Sequence, residues 1–173
     1  NNKIKRYEHE LTFTTNEERK TQLTENIQEM KNAKTELTDT ENSKQMYTFS
    51  FTNDNDGEGK TTYDKTNNTV VMTVDNVLSY DVISHELKHA SQFERRQLSF
   101  LSNGTTPGTL YDMTDEYDAY DREGAFQNAT YRRETINNAY PYLMERLGSR
   151  ELKPSNKKGL LILMNNNQEI YKK

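Results

Sequence analysis

The chain has no cysteine, so disulfides and thiolate metal sites are excluded, and any metal must be held by histidine and carboxylates. It also has no tryptophan, only three prolines and only three histidines. No apolar run approaches the length of a membrane span; the longest, Leu160 to Met164, reads as a short core segment. Hydrophobic residues make up only 31%, so helices with a narrow apolar stripe and wide solvated faces are expected. The net charge of -4 argues against non-specific binding to nucleic acid or to an anionic membrane. At 173 residues the chain is expected to form a single domain, 1–173. The first residue is Asn1, with no apolar signal core over Asn1 to Arg6, so a processed form or a fragment of a longer protein is expected.

What the chain does have is His85-Glu86-Leu87-Lys88-His89, an HExxH run. With so few histidines, a chance occurrence is improbable, on the order of half a percent. On a helix, residues four apart stack on one face, so both imidazoles can grip one ion. Glu86 is then placed to take a proton from an attacking water.

The flanking pattern supports a helix here. From Ser79 or Asp81 to about Leu101, the residues Ile83, Leu87, Ala90 and Leu101 cluster opposite His85 at ~100° per residue. One face should pack into the core and the other should present ligands to a cleft. Upstream, Leu23, Ile27, Met30, Ala33 and Leu37 mark an amphipathic helix over Thr15 to about Asp39, with Thr15 and Glu18 as a capping box. Tyr47, Phe49 and Phe51 alternate as in a half-buried strand, and Val70 to Val74 reads as another. Asn53 to Gly59 forms a turn cluster, and Thr61 to Asp64 is expected to pair between the two strands in a small antiparallel sheet.

Ser102 to Gly108 is a loop, and Thr114 to about Leu147 favours helix, interrupted at Pro141. Lys153 to Lys158 is a polar connector, and Gly159 to Ile170 fits either a strand pair or a helix. Asp54, Asp56 and Gly57 are read as a solvated turn rather than a calcium loop, and Gly59-Lys60-Thr61 as a hairpin turn rather than a phosphate loop.

A catalytic zinc needs three protein ligands and an open position. His85 and His89 supply two. Gln92 and Arg95 stand where an HExxHxxGxxH form needs Gly and His, so that form is excluded, and His9 lies far upstream in a polar segment. A carboxylate on or beside a second helix, which the segment Thr114 to Tyr120 opens, is expected to complete the set. Glu116 is favoured because Ala119, three residues on, lets two helices approach; Asp115, Asp112 and Glu123 compete. Gly108 to Asp112 faintly echoes the Gly-Thr-x-Asp pattern of zincins with an aspartate ligand, which would make Asp112 the ligand. The tetrahedral oxyanion also needs a donor, for which Tyr117, Tyr120, Tyr131, Arg132 and Arg133 are all conceivable.

The HExxH run followed by Thr114-Asp115-Glu116-Tyr117-Asp118-Ala119 resembles the zincin metallopeptidases with a glutamate third ligand. It is similar in particular to the NleD-type bacterial effector peptidases and related metallopeptidase toxin domains. The resemblance covers about residues 69–126. It implies an α+β, zincin-like fold, with a small, mostly antiparallel sheet on an active-site helix and a helical C-terminal half. It further implies a secreted or translocated zinc endopeptidase acting on a protein or peptide, with His85, His89 and Glu116 holding Zn²⁺ and Glu86 as base. Many such enzymes carry an aspartate four residues after the glutamate ligand to orient a histidine; here that position is Tyr120, with Asp118 and Asp121 beside it. A binding module that has lost catalysis, or a structural zinc domain, are the alternatives.

Overall fold

The computed structural model describes residues 2–53, 59–75, 80–131 and 133–139, and beyond these 141, 145, 152, 156, 157, 160 and 169–172. The fold is mixed α+β. Two helices, α1 (Asn2–Phe13) and α2 (Glu17–Glu41), precede strands β1 (Met46–Thr52), β2 (Gly59–Asp64) and β3 (Thr69–Asp75). Then follow the HExxH helix α3 (Tyr80–Glu94), the short strand β4 (Phe100–Leu101), helices α4 (Met113–Gln127) and α5 (Arg133–Ala139), and strand β5 (Glu169–Ile170), which pairs antiparallel with β4.

The sheet differs from the mostly antiparallel one expected. Its order is β1-β3-β2, with β1 parallel and β2 antiparallel to β3. β3 takes the centre because Val70, Met72 and Val74 are its deeply buried, β-branched or flexible apolar side chains. β2 joins β3 by a tight turn in which the Asp64 carboxylate accepts from the Thr66 and Asn67 N–H groups and Asn68 adopts φ 54°. β1 thus falls on the far side of β3, and its aromatic residues are more exposed than a half-buried strand predicts.

α2 begins one residue later than expected, with Asn16 rather than Thr15 as its cap; the Asn16 side chain accepts from Arg19 N–H at 2.9 Å. α1 lies in the segment that gave no apolar signal. It closes a small cluster in which Tyr7, Leu23, Ile27 and Met30 are buried, and His9 sits exposed on its surface.

α3 ends at Glu94, short of Leu101. Arg96 takes a left-handed conformation (φ 61°) and Gln97 N–H turns back to the Gln92 carbonyl, which sends Leu98 and Phe100 into the main core. Leu101 therefore belongs to β4 and not to the helical stripe. Likewise α4 breaks well before Pro141. Asn128 is left-handed (φ 65°), Ala129 N–H bonds the Gly124 carbonyl at 2.9 Å, and a β-carbon on Gly124 would lie 2.7 Å from the Ala129 carbonyl oxygen. The missing side chain lets the chain reverse tightly and start α5. The start of α3 at Ser79, most of the Asn53 to Gly59 turn with Asp54, Asp56 and Gly57, and most of the Lys153 to Ile170 stretch lie outside the described residues.

No helix among the described residues is long and apolar enough to cross a membrane. α3 packs against β2 and β3 on one side and against α4 and α2 on others, which makes it the central element.

Candidate metal centre

Of the α3 stripe expected to face the core, Ala90 is fully buried and Leu87 packs against the main core, but the histidine face is buried as well rather than open to a cleft. Ser84, His85, Glu86 and His89 are buried, whereas Ile83 and Leu87 are only partly so. The histidine face turns into the protein because α4 lies across it, while Ile83 and Leu87 border an apolar cavity of about 420 Å³ between α1, α2, α3 and α4.

Within the α3–α4 contact, His85, His89 and Glu116 converge, each offering one ligand atom within 4.8 Å of the others. The imidazole Nε2 atoms are 3.2 Å apart, and the Glu116 carboxylate lies 3.5 Å from His85 Nε2 and 3.6 Å from His89 Nε2. Ligand atoms about 2.0–2.1 Å from a tetrahedral zinc are about 3.3 Å from one another, so the observed spacings fit such an ion. Exposure is 7% at His85, 6% at His89, 5% at Glu116 and 4% at Glu86.

The outer nitrogen of each ring is already engaged. His85 Nδ1 lies 3.1 Å from Glu123 Oε2, and His89 Nδ1 lies 2.8 Å from Gln92 Oε1. The Gln92 amide is itself oriented, since its Nε2 donates to the Asp115 carbonyl at 3.0 Å. Acceptors at both Nδ1 atoms place the ring protons there, which turns both Nε2 lone pairs toward the same point. Glu116 Oε2 faces this point too, and it is buried with no hydrogen-bond partner. Lone pairs and a carboxylate directed at one another repel unless a proton or a metal ion sits among them.

The electrostatics agree. Burial favours the neutral form of His85, but the carboxylates of Glu116 and Glu123 beside it outweigh that and push its pKa up to about 10. Burial likewise favours protonated Glu116, but His89 and His85 hold its carboxyl below the usual range. These charges favour a cation among the three side chains, a proton or a metal ion, and two imidazoles with a carboxylate are a donor set that zinc would accept.

The competing carboxylates do other things. Asp112 caps α4, accepting from Thr114 N–H at 2.8 Å, and it accepts from Leu152 N–H at 2.7 Å. Asp115 returns the capping box to Asp112 N–H and binds Lys157 Nζ at 2.7 Å. Desolvation raises the Asp115 pKa to about 7 despite the opposing pull of Lys157. Glu123 holds His85 from outside and accepts from Tyr131 at 2.7 Å. It thus reaches the His85 ring from a position seven residues after Glu116, while the ring of Tyr120, four residues after Glu116, packs edge-on to His85 at 4.7 Å.

Among the other expected site residues, Tyr117 donates to Asn137 and carries the Arg133 guanidinium over its ring at 4.4 Å, so both are engaged on the α5 side. Arg132 lies outside the described residues. Sequence reasoning missed Tyr111, whose hydroxyl donates to Glu116 Oε1, and missed the role of Gln92. The strand expected at Thr61 to Asp64 is β2, but its contact with the site was not foreseen: Thr61 Oγ1 donates to Glu86 Oε2 at 2.6 Å. The only trace of these in the sequence is position: Tyr111 precedes the α4 cap, and Gln92 lies three residues after His89 on the same helix face.

Compared with protein-family models, curated proteins and solved structures, the chain matches no family, no curated protein and no solved structure.

Proposed function

We propose that this chain is a zinc-dependent endopeptidase of the zincin kind, with His85, His89 and Glu116 as metal ligands and Glu86 as general base. One observation carries the reading: two imidazole nitrogens with engaged outer nitrogens and an unpartnered buried carboxylate oxygen face a single point at zinc-like spacings. When bound, such an ion polarises a carbonyl and makes water more acidic.

The protein's own groups supply the rest. Three ligands among the described residues leave a position for water or substrate. Glu86, next in chain to His85, takes the proton of the attacking water and returns it to the leaving amine. Thr61 fixes one oxygen of that carboxylate by donating to it, which leaves the other for proton transfer. Glu123 and Gln92 hold the rings, and Tyr111 holds Glu116. The substrate we propose is a protein or peptide, and the proposal extends to a secreted or translocated bacterial effector or toxin domain, on the motif resemblance alone.

The test is metal analysis of the purified chain combined with cleavage of a peptide library with and without a chelator. The reading expects one zinc per chain and chelator-sensitive cleavage. Glu86→Gln should keep zinc and lose at least about a hundredfold in rate, the scale of general-base catalysis. A chain that refuses stoichiometric zinc overturns it, and near-normal turnover in Glu86→Gln removes Glu86 as the base.

The burial of all three ligands favours a second reading, a structural zinc domain. In that case metal removal unfolds the protein and no peptide is cleaved.

A further inference from the structure

We propose that β1 is an interface strand that pairs antiparallel with β1 of a second copy of this chain. In the order β1-β3-β2, β1 has β3 on one side, and among the described residues no strand pairs with its other edge. Open edges are normally blunted by charge, proline, a bulge or a covering element. Met46-Tyr47-Thr48-Phe49-Ser50-Phe51-Thr52 contains no charged residue, no proline and no glycine. Its backbone pairs with β3 in unbroken register over all seven residues, so it is not bulged either.

The strand is also apolar where it is exposed. Met46 is 62% exposed, Phe51 55% and Phe49 38%. Tyr47, Phe49 and Phe51 stand in register with Val70, Met72 and Val74, so they share the sheet face that looks toward α3. α3 lies under β2 and β3, which leaves Phe49 and Phe51 projecting past it, their rings stacked at 6.4 Å. Beneath them a cavity of about 320 Å³ is lined by Leu37, Phe49, Met72, Leu87 and Ala90.

The sequence of the strand selects its own copy as the occupant. In an antiparallel pair centred on Phe49, Phe49 faces its twin and Tyr47 faces Phe51 on one side of the sheet. On the other side Thr48 faces Ser50. Aromatic–aromatic and hydroxyl–hydroxyl pairs are the favourable cross-strand combinations. No like charges meet within the pair, although the chain as a whole carries a net charge of -4. The arrangement is isologous about a two-fold axis, closes on itself, and joins two three-stranded sheets into one of six.

The area sets the strength. With about 150–250 Å² for each fully exposed large side chain, the exposed parts of Leu37, Met46, Phe49 and Phe51 amount to about 300–500 Å² per copy. A standard interface buries about 800 Å² per partner, roughly 57% of it non-polar, so the strand supplies about the apolar area of a dimer at the weak end. The dimer should therefore form with concentration, half-associated at about 10–500 µM.

The test is sedimentation velocity of the full chain from about 1 µM to 1 mM. The wild-type chain should pass from monomer to dimer across that range. Thr48→Lys combined with Ser50→Lys changes two exposed positions and sets positive charges opposite one another across the pair; it should stay monomeric throughout, with an unchanged circular dichroism spectrum. Phe51→Ser, which removes an exposed ring without adding charge, should weaken association at least tenfold. A wild-type chain that remains monomeric at 1 mM overturns the proposal. So does a dimer that survives the paired lysines, or open-ended assembly into fibres. None of these outcomes depends on metal binding or on catalysis.

Discussion

Gly59 lies so close to Glu86 that a β-carbon on it would stand 2.5 Å from Glu86 Oε1. Two residues on, Thr61 donates to Glu86 Oε2 at 2.6 Å. β2 is thus laid directly over the proposed base, and a residue larger than glycine at its first position would push the carboxylate aside. Gly59→Ala should displace the carboxylate by about 1 Å and lower turnover by about a hundredfold, the cost of such a misplacement. On the proposed ligand set, which leaves Glu86 out, zinc content should stay at one per chain. Unchanged turnover in a folded, zinc-loaded variant would show that β2 does not set the base.

The outer contacts of the histidines predict a graded loss of metal. Glu123→Ala removes the carboxylate at His85 Nδ1, and loss of such an outer partner lowers metal affinity by about 10–100-fold. Competition against a chromogenic chelator measures this directly. Glu116→Ala should instead abolish stoichiometric binding, because a ligand itself is lost. If Glu123→Ala loses metal completely while Glu116→Ala keeps it, the two assignments are exchanged.

Much of this centre was legible in the sequence, and the reason is local. The spacing of His85, Glu86 and His89 on one helix needs no tertiary information, and the apolar periods of α2 and the alternation of β3 are likewise readable within one segment. Glu116 stood out through its neighbours Ala119 and Tyr120, and the structure brings it to the two histidines. What was not legible depends on how elements meet. The parallel pairing of β1 with β3 places β3 in the centre, and no period in either strand encodes that choice. The inward turn of the histidine face follows from α4 crossing α3, although Ile83 and Leu87 made the stronger apolar pattern. The left-handed residues Arg96 and Asn128 end α3 and α4 early, and neither position carries a glycine that would have announced the stop.

Asp112 separates the aspartate-ligand reading from the one proposed. It is fully buried and caps α4. Asp112→Ala should cost about 1–2 kcal/mol in urea unfolding, the usual range for a lost cap, and leave zinc stoichiometry untouched. Loss of zinc at unchanged stability would return Asp112 to the ligand set.

Away from the proposed metal site, Glu36 anchors a charge network on α2, and its behaviour with pH is the last expectation. Its carboxylate accepts from Arg122 at 2.5 Å, Arg95 at 2.8 Å and Lys88 at 3.3 Å, tying α2 to α3 and α4. Burial alone would raise its pKa, but the three cations, led by Arg122, hold it below the usual carboxylate range. A carboxyl whose pKa is lower in the folded state than in the unfolded one stabilises the fold above its unfolded value, and that contribution fades as pH falls through the folded value. Glu36→Gln leaves Arg122, 1% exposed, with Glu29 as its remaining partner, and should cost about 3 kcal/mol at pH 7. Urea unfolding of wild type and variant at pH 7 and pH 3 gives the comparison. The gap between them should narrow in acid, because Glu36 takes up a proton in the unfolded chain at a higher pH than in the native one. A gap that stays constant, or widens, would mean that Glu36 acts through packing and that its charge contributes nothing to holding the three helices together.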